Sequence, residues 1–151
     1  MKLIICAVGR LKAGPERDLL EKYRRRLSWP LEIVELEERR KLSPAELKKR
    51  ESALIDKALP AGCVRVALDE RGKSMTSREF AAKIGDWRDQ GRDIGFMIGG
   101  ADGLDTGLRS GADATVSFGT ATWPHQLARA MLVEQIYRAQ KILAGHPYHR
   151  D

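Results

Sequence analysis

The sequence predicts an α/β protein built on a parallel-rich sheet flanked by helices. Short, β-branched apolar runs alternate with amphipathic stretches of helical period along the whole chain. The first run, residues 1–8, is apolar almost throughout, as expected of a strand covered on both faces. The 151 residues suit a single domain spanning 1–151, with no internal repeat, low-complexity segment or linker.

After Gly9, apolar Leu19, Leu20, Tyr23 and Leu27 recur at helical spacing from Pro15. Glu16, Asp18 and Glu21 stand early and Arg24, Arg25 and Arg26 late, which suits the helix dipole, and the helix ends before Pro30. Residues 31–36 form a second strand, and Glu32 and Glu35 place it nearer an edge. Ser43, Pro44 and Glu46 give an N-cap, a first-turn proline and a capping acid for a helix reaching to about Ala58. Pro60 and Gly62 break it, and residues 63–68 make the third strand, followed by a polar turn over 69–73.

Thr76 and Glu79 cap a third helix carrying Phe80, Ala81, Ile84 and Trp87 on one face. Residues 93–98 are the fourth strand and 112–118 the fifth, with a short helical turn over 106–110 between them. Pro124 starts the last helix, where Leu127, Ala130, Met131, Glu134, Tyr137 and Arg138 run on to about Leu143. Gly145, His146 and Pro147 stop it.

Composition narrows the class. A chain 42% hydrophobic and 32% charged is that of a soluble globular protein, and no apolar run is long enough to span a bilayer. The apolar start is short and strand-like, so it reads as the first strand of a cytoplasmic protein rather than a signal peptide. Cys6 and Cys63 lie in apolar strands without a Cys or His partner at metal spacing, which predicts buried thiols and no metal. A net charge of +6 favours a polyanionic partner such as nucleic acid. Three basic clusters, at 24–26, 39–41 and 48–50, could together form a phosphate-tracking patch.

In a parallel sheet, ligands bind at the carboxyl ends of the strands. Here those ends are Leu68 and Asp69, then Ile98, Gly99 and Gly100, then Phe118 and Gly119. The run Gly99, Gly100, Ala101, Asp102, Gly103 lacks the spacing of a dinucleotide fingerprint or a P-loop. Following a fully apolar strand, however, it lets backbone groups approach a ligand. The loop 118–123 mixes small residues with an aromatic and can wrap an adenine, although Trp123 serves equally well as core filler. The ending His146, Pro147, Tyr148, His149, Arg150 collects two of the three histidines beside a tyrosine and an arginine, the make-up of a binding or catalytic tail.

Val8 with Gly9, Leu68 with Asp69, the stretch from Ile98 to Leu104, Trp123 with Pro124 and His125, Tyr137 with Arg138 and Ala139, and the His-Pro-Tyr-His-Arg ending together resemble a known family. It is the family of bacterial ribosomal large-subunit methyltransferases, within the SPOUT superfamily, that methylate pseudouridine at ring nitrogen 3. The resemblance implies a SPOUT α/β-knot fold with a C-terminal trefoil knot, a homodimer, and bent S-adenosylmethionine as methyl donor. It implies large-subunit ribosomal RNA in the assembled ribosome as substrate.

The family's cofactor contacts carry over to Leu68, Gly99, Phe118, Gly119, Thr120, Ala121, Thr122 and Trp123. In relatives the position of Trp123 is often aliphatic and that of Asp102 often glutamate. Tyr148, His149 and Arg150 of one subunit are expected to meet the other subunit's cofactor pocket. Arg138 and Arg150 would bind RNA phosphate or the developing imidate, with His149 or Tyr148 relaying the proton. A basic RNA-binding module without catalysis, or a SPOUT enzyme for another RNA position, are the competing readings.

Overall fold

The computed structural model describes residues 1–150. Its elements in chain order are β1 (Leu3–Val8), α1 (Pro15–Arg24), β2 (Leu31–Leu36), α2 (Pro44–Ala58), β3 (Val64–Ser74), α3 (Ser77–Asp89), β4 (Ile94–Ile98), α4 (Thr106–Ser110), β5 (Ala114–Ser117) and α5 (His125–Leu143). The strands join in one sheet of order β2-β1-β4-β3-β5, and every adjacent pair is parallel. This is the α/β arrangement that the alternating pattern predicts.

The central strand β4 and its neighbour β1 are buried at every residue and pair from Leu3 with Ile94 to Ala7 with Ile98. Because successive side chains point to opposite faces, their alternate residues feed two cores. Leu3, Ile5, Ile94 and Phe96 join Phe80, Ile84, Leu132 and Ile136 on the face covered by α3 and α5. Ile4, Cys6 and Met97 join Ile55 and Leu104 on the other. Both cysteines are free and buried. Strand β2 lies at an edge, as its two glutamates foretell. The caps of α2 and α3 form as the sequence dictates: Ser43 with Glu46 and Thr76 with Glu79 each make a reciprocal capping box.

Three expectations need correction. Strand β3 does not give way to a turn after Leu68. Leu68 and Lys73 both register opposite Val116, so the residues between them form a bulge and the strand then rejoins β5. Gly72 allows this return, since a Cβ there would lie 2.9 Å from the Asp69 carbonyl oxygen. Helix α1 stops at Arg24, leaving Leu27 beyond it to pack against the core. Helix α5 buries Leu132, Val133, Ile136 and Tyr137, a wider arc than predicted, and includes the wholly buried Arg129.

Among the described residues no helix is long and apolar enough to cross a membrane. Among them, too, no three His, Cys, Asp or Glu side chains are grouped as metal ligands.

Candidate active site

The bulge of β3 and the carboxyl ends of β4 and β5 enclose a cleft of about 230 Å³. Leu68, Ile98, Val116 and Phe118 give it an apolar wall, and the glycine turn and the loop after β5 give it backbone groups.

Local packing shapes the glycine turn. Gly103 donates its N–H to the Gly100 carbonyl at 3.0 Å and sits at φ +77°, so the chain folds back on itself immediately after β4. Gly99 lies inside that fold: a Cβ there would come within 2.4 Å of the Gly103 carbonyl carbon. Only glycine fits. On the reverse side, Glu51 of α2 is buried against Gly100, where a Cβ would lie 2.9 Å from Oε2. Burial, with the negative charges of Asp102 and Glu38, pushes the Glu51 carboxyl above the usual range.

The loop after β5 is stitched to the bulge of β3. Ser117 Oγ lies 2.7 Å from the Gly119 carbonyl and 3.2 Å from that of Glu70, either of which can take its single proton, and it accepts the Gly119 N–H. Thr122 Oγ1 donates to Glu70 Oε2 at 3.0 Å, and the Trp123 indole N–H donates to the Phe118 carbonyl at 3.1 Å. Trp123 is 44% exposed, so it is a lip of the cleft rather than core filler. Seven of the eight residues expected to hold a cofactor line the cleft, namely Leu68, Gly99, Phe118, Gly119, Ala121, Thr122 and Trp123. Thr120 does not; its place in the loop is exposed to solvent.

Two polar residues that the sequence placed in motifs without a role also line the cleft. Asp69, with its side chain only 4% exposed, accepts from Arg71 at 3.0 and 3.2 Å and from Arg109 of α4 at 3.4 Å. Burial pulls its carboxyl upward, but the hydrogen bonds from the two arginines outweigh this and hold it below the ordinary aspartate range. His125, at the first turn of α5, also lines the cleft. Burial and the neighbouring Arg129 charge lower its pKa, which favours the neutral imidazole. The signal for His125 was its place in the Trp-Pro-His motif. The strand exit marked Asp69, and Arg71 stands two residues on, but its burial depends on Arg109, 40 residues away.

The tail assembles elsewhere. Gly145 at φ +67° donates to Ile142 and His146 donates to Lys141, a left-handed helix stop that turns the chain back along α5. Tyr148 then packs edge-on against Tyr137 at 4.8 Å, with the Arg138 guanidinium 4.8 Å from its ring. Arg138 is held by Glu134 at 2.6 Å and reaches His149 Nδ1 at 3.2 Å. A guanidinium only donates, so Nδ1 accepts and the proton of the neutral ring belongs on Nε2. Arg150 is exposed. Arg138, Tyr148 and His149 thus cluster on the second half of α5, and none of the four expected catalytic residues lines the cleft of its own chain.

Residues 1–149 match the family model described as "Predicted SPOUT methyltransferase". The chain belongs to the SPOUT methyltransferase family. A protein named Ribosomal RNA large subunit methyltransferase H from Rhodospirillum centenum is 56% identical over 151 residues, with 99% of each chain covered. One of the same name from Paramagnetospirillum magneticum is 53% identical, also with 99% of each covered. A solved structure described as "Structural insights into the 2-OH methylation of C/U34 on tRNA" superposes with a TM-score of 0.53 at 18% identity. That superposition covers 96% of this chain and 99% of the other, a likeness of SPOUT fold alone.

Proposed function

We propose that this SPOUT protein transfers a methyl group from S-adenosylmethionine to N3 of a pseudouridine in large-subunit ribosomal RNA. It would act as a cytoplasmic homodimer of one domain per chain, knotted at its C-terminal side, on the assembled ribosome. The observation that carries the reading is the cleft of the glycine turn, in a chain more than half identical to methyltransferases named for large-subunit ribosomal RNA.

The cleft suits the proposed cofactor. Its apolar wall offers a surface for an adenine ring, and a fold that excludes a Cβ at Gly99 brings backbone donors and acceptors to the ring's edge. Glu70 and Asp102 supply negative charge for a cationic ligand. Leu68, Gly99 and the loop 118–123 would hold the cofactor, whose sulfonium supplies an already activated methyl group. What remains for the protein is alignment of the attacking nitrogen and removal of its proton. As the N3–carbon bond forms and the carbon–sulfur bond breaks, the imide proton passes to a base.

The tail contributes that base in this reading. Tyr148 is a poor candidate, because burial and hydrogen bonding with Tyr23 and Glu134 push its pKa well up and keep the phenol un-ionised. His149 is the better one: Arg138 orients the ring at Nδ1, and that lone pair takes the proton once the guanidinium turns from it to the substrate. Ala128, at the cleft, and Arg138 are ten residues apart on α5, about 15 Å along a helix. The tail thus rests along α5 away from its own chain's cleft, which favours completion of each cleft by the partner's tail.

Mass spectrometry of ribosomal RNA from a deletion strain tests the reaction, with loss of one methyl group from one pseudouridine expected. An unchanged modification pattern would refute it, as would wild-type protein with no affinity for S-adenosylmethionine by calorimetry. Mixed dimers test the shared site: a tail-deleted chain paired with a cleft-disabled chain should recover one working site.

A further inference from the structure

A second cavity, of about 440 Å³, lies beyond the exit of β1. Arg10, Arg17, Arg24 and Arg129 line it together with Glu21 and Glu35. The carboxylates are already engaged, Glu21 with Arg24 at 3.2 Å and Glu35 with Arg129 at 2.9 Å. Arg10 and Arg17 enter no ion pair among the described residues and are exposed at the rim.

The floor is rigid. Arg129 is wholly buried and donates through Nη2 to the carbonyls of Val8 and Gly9 at 3.2 and 3.1 Å. Its Nε is buried without a hydrogen-bond partner among the described residues. An orphan charged donor below two uncommitted guanidinium groups calls for an anion, and planar arginine forks match phosphate oxygens in pairs. The cavity is also a neighbour of the glycine-turn cleft. His125, which lines that cleft, has its Nε2 3.7 Å from where a Cβ on Gly9 would stand, and Arg10 is the next residue.

We infer that this cavity is a backbone-phosphate site for the RNA substrate. It would seat a phosphate near the nucleotide whose base enters the cleft, so that one strand lies along the carboxyl edge of the sheet. The inference rests on the RNA methyltransferase reading and adds to it the place where the RNA backbone is gripped.

The test compares Arg10→Gln/Arg17→Gln with Lys57→Gln/Arg88→Gln, which removes the same charge from α2 and α3. Both pairs are exposed, so circular dichroism should show intact folds. Retention of large ribosomal subunits on filters is measured over a range of KCl concentrations, and cofactor affinity by calorimetry. The cavity variant is expected to bind subunits several-fold more weakly than the control variant. Its logarithmic salt slope should be shallower by about 1, with S-adenosylmethionine affinity unchanged. Equal losses in the two variants would overturn the cavity site and leave the RNA reading standing. Wild-type protein that retained no subunits would overturn both.

Discussion

Tyr148 donates its phenolic hydroxyl to Glu134 Oε1 at 3.0 Å, the same carboxylate oxygen that receives Arg138 at 2.6 Å. One glutamate therefore holds both the ring and the cation on which the C-terminal tail rests. Replacing Tyr148 by Phe keeps the ring against Tyr137 and Arg138 while removing the hydroxyl's bonds with Glu134 and Tyr23. Urea unfolding should register a loss of about 1 kcal/mol. Single-turnover methyl transfer should fall by less than about tenfold in this variant and by about a hundredfold or more in His149→Ala. The opposite ranking would make Tyr148, not His149, the proton relay.

Gly99→Ala tests the glycine turn. A methyl group would meet the Gly103 carbonyl carbon at 2.4 Å, so the turn must open. Calorimetry should find S-adenosylmethionine binding lost while far-ultraviolet circular dichroism stays that of the wild type. Normal affinity in the alanine variant would show that the turn does not shape the site.

Asp69 gives the protein a signature in acid. Its carboxyl is held below the unfolded range, so its contribution to stability is complete above that range and is lost as pH falls through it toward the lower native value. Denaturation midpoints measured from neutral pH down into the acid range should fall less steeply in Asp69→Asn than in wild type. Parallel curves would mean that the Arg71 and Arg109 bonds do not form in solution.

His125 acts in the same direction at higher pH. Its pKa is depressed, so the unfolded chain takes up a proton before the native one does, and stability declines as pH drops through the ordinary histidine range. His125→Gln should flatten that part of the profile, which thermal melts across the range would reveal.

Arg129→Met removes a buried cation together with the donor for two backbone carbonyls. The expected cost is about 3 kcal/mol, read by chemical denaturation. A change under about 0.5 kcal/mol would mean that the Glu35 pair and the carbonyl contacts cancel against desolvation.

The sheet was legible because its signals are local. Runs such as residues 94–98 are apolar at every position, and Ser43 with Glu46 or Thr76 with Glu79 write their helix starts within four residues. The cleft could be placed at strand exits for the same reason, and the residues that the resemblance proposes for a cofactor line it, with Thr120 the exception. What stayed hidden depends on distant partners. The polar run after Leu68 looks like a turn until Val116 is seen opposite both of its ends. Arg129 looks like a surface charge on an amphipathic helix until Glu35, 94 residues earlier, is set beside it. No periodicity reports such pairings, because burial of a charge is decided by the counter-charge that folding delivers.

The strand order also bears on how the chain comes off the ribosome. β1 lies between β2 and β4, and Ile94 donates to the Lys2 carbonyl at 3.0 Å across 92 residues of sequence. During synthesis, one long edge of the most apolar strand must wait until nearly two-thirds of the polypeptide has emerged before its neighbour exists. A nascent protein of this design carries an open, sticky edge for most of its translation. That makes it a candidate for chaperone capture at the tunnel exit, at the very particle it is proposed to modify.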